Sequence, residues 1–228
     1  SYICILEYKS VYYLVVGSAC GSTMVSRARG MKILQINKFH YLRGGAERHY
    51  FDVMALLEEK GHEVINFSMQ DERNEESAYS DYFVSNMTFD PPNLKTVLKA
   101  GRVVYSKEAR AKLTQLIADT EPDVAHVHLM YHQLSPSVLL ALRDMNIPTV
   151  MTIHDWQALN PNYSLAIPDH VYSVEEGKRY WHIVKERAIK NSYLMSGLAA
   201  FAATVQHGLG WYEKTVYRPK TVCPRSIY

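Results

Sequence analysis

The stretch that most constrains the fold is residues 31–50, MKILQINKFHYLRGGAERHY. Ile33, Leu34 and Ile36 form an apolar run of strand length. Residues 46–60 place Tyr50, Val53, Met54 and Leu57 at the i, i+3, i+4, i+7 spacing of one helix face. Between them lies Gly44-Gly45, which lets the backbone turn tightly and come close to a ligand. A strand that runs through a glycine loop into a helix commits the chain to β–α packing. The unpaired N–H groups and the positive dipole end of that helix suit an anionic or polyhydroxyl ligand. A plain β–α turn is the simpler use of the same residues.

The alternation continues along the chain. Residues 62–68 (HEVINFS) carry Val64, Ile65 and Phe67 as a second strand, and Gly61 suits the C′ position of the preceding helix. Residues 70–80 (QDERNEESAYS) read as a solvated loop, followed by a short edge strand at 82–85. Pro91-Pro92 punctuates, and a long helical stretch covers about residues 94–120 with a break expected near Gly101. Glu121-Pro122-Asp123 ends it and launches a strand at 124–128. Ser135-Pro136 predicts an N-cap followed by Pro at the first helical position, in a helix ending near Asn146. Residues 148–153 (PTVMTI) supply one more strand. Strands alternating with helices predict an α/β fold, a doubly wound, Rossmann-like parallel sheet covered on both faces.

With 228 residues, 47% hydrophobic and 21% charged, the chain can bury one large core or two small ones. A formal charge of +2 without a long basic run gives no argument for nucleic acid as a partner. Cys4, Cys20 and Cys223 show neither metal spacing nor a disulfide framework, which fits a reducing cytoplasm. Residues 1–30 look unlike the rest of the chain. Their apolar run 11–20 (VYYLVVGSAC) resembles a signal-peptide core but is shorter than the ~20 residues a membrane span needs. They are read as an extension outside the fold, with an added strand or helix as one alternative. Residues 192–211 (SYLMSGLAAFAATVQHGLGW) are apolar but interrupted by Gly197, Gln206, His207 and Gly208. That favours a core or domain-interface helix over a membrane-surface one.

In a doubly wound sheet, ligands bind beyond the carboxyl ends of the strands. Three such ends carry unusual residues. The first is Asn37 with the loop to Gly45, the second is His126 and His128 continuing to His132, and the third is Thr152, His154 and Asp155. Polar capping of the sheet is the plain alternative for these histidines.

Taken in order, the start MKIL, the loop RGGAER (43–48), LLEEKGHEV (56–64), DVAHVH (123–128) and PTVMTIHD (148–155) resemble one family. The chain is similar, over about residues 31–211, to the amino-terminal domain of a retaining family 4 glycosyltransferase with the GT-B fold. The resemblance implies that residues 31–214 form a Rossmann-like domain facing a second one across a cleft. The acceptor binds mainly on the first domain and the nucleotide-sugar donor mainly on the second. It implies transfer of a sugar, with retention, from the nucleotide-sugar donor to a glycan or lipid-linked acceptor, as in polysaccharide synthesis. No cofactor is implied beyond the donor as co-substrate, and no metal. The implied location is cytoplasmic, at the inner face of the membrane where the acceptor is lipid-linked, with peripheral membrane contact.

Carried over residue by residue, Gly44 and Gly45 would offer N–H groups to the donor diphosphate or the reacting centre. His128 would sit beside the transferred sugar, His154 and Asp155 would line the acceptor side, and His126 would add a substrate contact. The catalytic candidates are His128 and His154. A neutral imidazole can hydrogen-bond sugar hydroxyls, and N–H groups stabilise charge growing on a leaving diphosphate. Departures from the family pattern are equally plain. The donor domain's paired glutamates and basic phosphate-binding residues are absent from these residues, and Pro219 and Pro224 interrupt the expected next strand, leaving 215–228 as an irregular tail. The chain reads as a fragment whose carboxyl-terminal donor domain is missing, not expected to transfer sugar alone.

Rival readings remain at this point. A dinucleotide oxidoreductase would want G-x-G-x-x-G after the first strand and an acid closing the second, and neither is present. A metal-dependent hydrolase would use His126, His128 and His132, with His154 and Asp155, although no carboxylate stands within the 126–132 cluster. A non-catalytic binding module would hold an acceptor without chemistry.

Overall fold

The computed structural model describes residues 2–8, 11–17, 30–86, 101–155, 157, 160–162, 166–167, 170–171 and 180–211. The expected punctuation at Pro91-Pro92, the first part of the long helix and the tail 215–228 lie outside them.

Two strands, β1 (Tyr2–Tyr8) and β2 (Val11–Gly17), precede β3 (Lys32–Ile36). Helix α1 (Gly45–Glu59) then leads to β4 (Glu63–Phe67). Helix α2 (Lys107–Thr120) leads to β5 (Val124–Val127), and α3 (Ser137–Asp144) to β6 (Thr149–Ile153). The sheet order is β1-β2-β6-β5-β3-β4, with the last four strands mutually parallel. From β3 the chain moves outward to β4, then crosses back to β5 and on to β6. The winding direction therefore reverses between β3 and β5, the switch point where such sheets open a ligand crevice. This is the Rossmann-like architecture of a GT-B half.

The pairing of β1 and β2 departs from the reading of residues 1–30 as an extension outside the fold. β2 runs antiparallel to β6 from Tyr12↔Ile153 to Val16↔Thr149, and β1 pairs along the whole of β2. The physical reason is the edge: without β2, β6 would present a row of unpaired backbone groups. The Val- and Tyr-rich run that looks like a signal core is an equally good strand former, and an antiparallel strand commonly closes a parallel sheet.

One sheet face is apolar. Leu34, Ile36, Ile65, Phe67, Ala125, Val127 and Met151 pack with Leu113, Leu116 and Ile117 of α2 and Val138 and Leu142 of α3 in the main core. The other face is covered at β4 by α1, whose Tyr50 and Met54 pack on Val64. The predicted α1 stripe is thus the buried one. Its end is a Schellman arrangement: Gly61 at φ 81°, with Gly61 N–H bonded to Glu58 O at 2.9 Å and His62 N–H to Leu57 O at 3.0 Å. Asn146, at φ 55°, ends α3 the same way through Arg143 O and Leu142 O.

Two local expectations shift, and a third gains a second partner. Residues 101–104 are helical, and the break falls at Ser106, whose hydroxyl accepts from Ala109 N–H at 3.1 Å as the N-cap of α2. A short hydroxyl side chain can take over an orphan N–H; Gly101 offers none. Ser135, at φ 61°, accepts the Ser137 N–H at the start of α3 on its hydroxyl at 3.3 Å, as a cap would, and also accepts the Ser106 N–H there at 2.9 Å. The edge strand at 82–85 is a 3-10 turn, Ser80–Tyr82, followed by a single bridge between Met69 and Val84. Beyond β6, β7 (Ala166–Ile167) and β8 (His170–Val171) pair, and α4 (Trp181–Lys185) packs on α5 (Tyr193–Gly208) through Tyr180, Ile183, Ala200 and Ala203. Among the described residues, no helix is long and apolar enough to cross a membrane.

Candidate functional site

The switch point is held together by Asn37. This fully buried residue accepts Leu129 N–H on Oδ1 at 3.1 Å and donates from Nδ2 to Phe39 O at 2.8 Å. Backbone bonds from His128 N to Ile36 O at 2.8 Å and from Lys38 N to Leu129 O at 2.6 Å extend the strand pairing past the ends of β3 and β5. Parallel strands deliver their carboxyl ends to one rim, so the three candidate segments meet there.

The histidines converge into one cluster. His128 stacks against His154 with ring centroids 5.4 Å apart, and His126 lies 4.0 Å from His128. His49, from the first turns of α1, sets its ring edge-on to His128 at 5.8 Å and to His154 at 5.4 Å. His128 Nδ1 is 3.1 Å from His154 Nε2, and His128 Nε2 is 2.9 Å from Gln35 Oε1. His126 Nε2 is 2.7 Å from Thr152 Oγ1, while its Nδ1 lies 3.4 Å from Gln35 Nε2. His128 has no exposed surface. His154 and His49, which both contact it, are half-buried.

Desolvation sets the protonation of the cluster. Burial pushes His126 down to about 3 and His154 down to about 4, and it lowers His49. His128 falls well below the ordinary range, first through burial and then through its histidine neighbours. All of these rings are neutral at pH 7, the form that both donates and accepts a hydrogen bond.

Gly44 and Gly45 open α1 on the same rim. Gly44 is the N-cap in extended backbone, with φ −161° and no side-chain capping bond. Neither glycine is left-handed, so the pair is not the tight turn that the sequence suggests. What the missing side chains provide is space. A Cβ at Gly45 would meet nothing within 4 Å, and one at Gly44 only Glu47 Oε2 at 3.6 Å. The first-turn N–H groups are thereby open to close approach by an anion.

Charged residues flank this opening. Burial lowers the Lys38 amine, opposed by the charges of Asp155 and Glu47. Burial raises the Asp155 carboxyl, opposed by the Gln157 N–H bond at 3.0 Å and by Lys38. Glu47 is itself buried in the first turn of α1. Lys38 thus feels both carboxylates and the Arg43 guanidinium, which lies over the Phe39 ring at 4.6 Å on the same loop.

His132 does not join the cluster. At φ 68° its backbone turns away, and its Nε2 meets Gln157 Nε2 at 2.6 Å in a small cavity of about 30 Å³ also lined by Tyr131 and Gln206. Burial, then Lys38 and Lys190, push it down to about 4. The His126, His128 and His132 set of the hydrolase reading is split, and no group of three or more His, Cys, Asp or Glu among the described residues converges as a metal would require.

Two residues at the centre of the site are absent from the sequence reading. Gln35 is level with His126 in the β3–β5 register, a relation that alternation in one strand cannot reveal. His49 lies in α1 next to Tyr50, the residue that marks the buried helix face; that adjacency is the only signal it gives.

Comparison with known proteins gives one family. The family model described as Glycosyltransferase Family 4 matches residues 43–199, well over half of the chain. No curated protein and no solved structure matches it.

Proposed function

The chain belongs to glycosyltransferase family 4, and we propose that it forms the acceptor-side half of an enzyme that moves a sugar, with retention, from a nucleotide-sugar donor to a glycan or lipid-linked acceptor. The observation that carries the reading is the convergence of His49, His128 and His154 beside the open N-terminus of α1, at the switch point between β3 and β5.

In this reading the N–H groups at Gly44 and Gly45 face the donor diphosphate and stabilise the charge it gains as the sugar leaves. His154 and Asp155 hold the acceptor, with His154 the group that touches the incoming hydroxyl. His126 and His128 stand behind it and fix its ring. The donor is the only co-substrate required. In this reading the donor's nucleotide is held mainly by a second domain. A lipid-linked acceptor is supported by the outward face of α4 and α5, where Trp181 is 76% and Phe201 62% exposed, with Arg187 over the Tyr193 ring at 4.5 Å. Aromatic rings beside cations suit an interface between water and lipid at the cytoplasmic face of a membrane.

The test is direct. The full-length enzyme is given a panel of nucleotide sugars with glycan and lipid-linked acceptors, and the anomeric configuration of the product is read by NMR. A product with the donor's configuration supports the reading. An inverted product, or no transfer from any donor by folded enzyme, overturns it.

A further inference from the structure

We infer that Gln35 is a positioning residue: it sets the direction of a hydrogen-bond chain through the histidines and thereby makes the outward nitrogen of His154 an acceptor for a hydroxyl group. This deepens the transferase reading and rests on it for the identity of that hydroxyl.

Gln35 is fully buried in β3 between two histidines of β5 and its extension. Its carbonyl oxygen lies 2.9 Å from His128 Nε2. A carbonyl only accepts, so His128 Nε2 must carry the proton. A neutral imidazole has one N–H, which leaves His128 Nδ1 bare. The 3.1 Å contact to His154 Nε2 is then a bond that His154 donates. His154 has spent its own N–H, and its Nδ1 carries a lone pair.

The amide works in the other direction too. Its NH₂ group donates toward His126 Nδ1, so His126 carries its proton on Nε2 and donates to Thr152 Oγ1 at 2.7 Å. Donation therefore runs outward from Gln35 through His126 to Thr152, and inward from His154 through His128 to Gln35. Turning the amide over would reverse every link and make His154 Nδ1 a donor instead.

The consequence is chemical. His154 is half-buried, and its Nδ1 has no hydrogen-bond partner among the described residues. A lone pair there accepts from a hydroxyl and repels a phosphate or carboxylate oxygen. The rim is thereby divided: N–H donors at Gly44 and Gly45 for an anion, and a lone pair at His154 for a hydroxyl. A donor diphosphate and an acceptor alcohol would need that division. The chain of bonds requires neutral rings, and the burial of all three keeps them so.

Long-range proton–nitrogen correlation spectra of the ¹⁵N-histidine-labelled chain at neutral pH read each tautomer. The expected result is Nε2–H at His126, His128 and His154. Gln35→Glu offers two accepting oxygens, so His126 should gain Nδ1–H while His128 and His154 keep Nε2–H. Gln35→Leu removes the guide, and the His128 and His154 shifts should move toward the average of two tautomers. Nδ1–H or imidazolium at His154 in the unsubstituted protein overturns the inference. So does an unchanged His126 in folded Gln35→Glu whose carboxyl ¹³C shift shows it ionised. The unsubstituted spectrum decides even if a variant does not fold. These spectra need no substrate, so they stand or fall separately from the transfer assay.

Discussion

The two faces of the parallel strands are built from alternate residues of the same short segments, yet they differ in kind. Leu34, Ile36, Ile65, Phe67, Ala125, Val127 and Met151 point into a core closed by α2 and α3. Their neighbours Gln35, Asn66 and His126 sit in register on the opposite face, Thr152 bonds His126 there, and His128 and His154 continue that face beyond the strand ends. Most parallel sheets are apolar on both sides. Here one face is an apolar core and the other carries a bonded polar cluster, and a one-residue slip in any strand would exchange them. The polar face can be buried only because its groups bond one another, which makes it the face most sensitive to protonation.

The largest difference between the faces should therefore appear with pH. On the polar face His154 is held down to about 4 and His126 to about 3, in each case by burial first, with His128 also well below the ordinary value; His40 and His132, outside that face, are also held to about 4 by burial. Their folded values are below the unfolded value of about 6.5, so the unfolded state binds more protons in between. Stability is complete above about pH 6.5 and falls as the pH drops toward 4, by up to about 1.4 kcal/mol per pH unit for each histidine. Urea unfolding at pH 7, 6 and 5 should give steadily lower midpoints. Equal stability at pH 7 and pH 5 would break the contrast, since the apolar face has nothing to titrate.

On the apolar face, Phe67→Ala removes a fully buried ring and should cost about 3–5 kcal/mol at pH 7, independent of pH between 5 and 7. On the polar face, His128→Ala leaves Gln35 Oε1 and His154 Nε2 without their partner. The expected loss is about 1–3 kcal/mol, and part of the acid sensitivity should vanish with it. A pH-independent loss as large as that of Phe67→Ala would mean that the polar face is merely another core. Removing residues 1–30 strikes both faces alike, because β2 supports the edge of β6 and not one side of it. A loss of about 1–2 kcal/mol is expected, and an unchanged unfolding curve would place these residues outside the cooperative fold.

Much of this division can be read from the chain itself. The apolar runs of β3 to β6, the C′ residue Gly61 and the histidines at strand ends all follow from local periodicity and stop signals. What stays hidden depends on partners distant in sequence. β1 and β2 look like an appendage because the strand they complete, β6, lies far along the chain. Ser135 reads as a cap, and it does accept the Ser137 N–H, but nothing local shows that its hydroxyl also takes the Ser106 N–H. Gln35 is one polar residue in an apolar strand until the register sets His126 beside it, and only then does its two-ended amide become the link between two histidines.

The smallest expected effect on stability is also the sharpest test of what the polar rim is for. Gly45 is the first residue of α1, and a Cβ there meets nothing within 4 Å. Its backbone is not left-handed, so a side chain brings no strain. Gly45→Val should change folding stability by no more than about 0.5–1 kcal/mol in either direction, the scale of helix propensity. The space it fills is where a diphosphate would approach the first-turn N–H groups, so nucleoside diphosphate affinity in the full-length enzyme should drop at least about tenfold, which is about 1.4 kcal/mol. Unfolding curves and titration calorimetry on the same preparations separate the two quantities. Undiminished affinity in a folded Gly45→Val protein would mean that the diphosphate does not use this helix end, and the ligand assignment of the rim would have to move to the histidines alone.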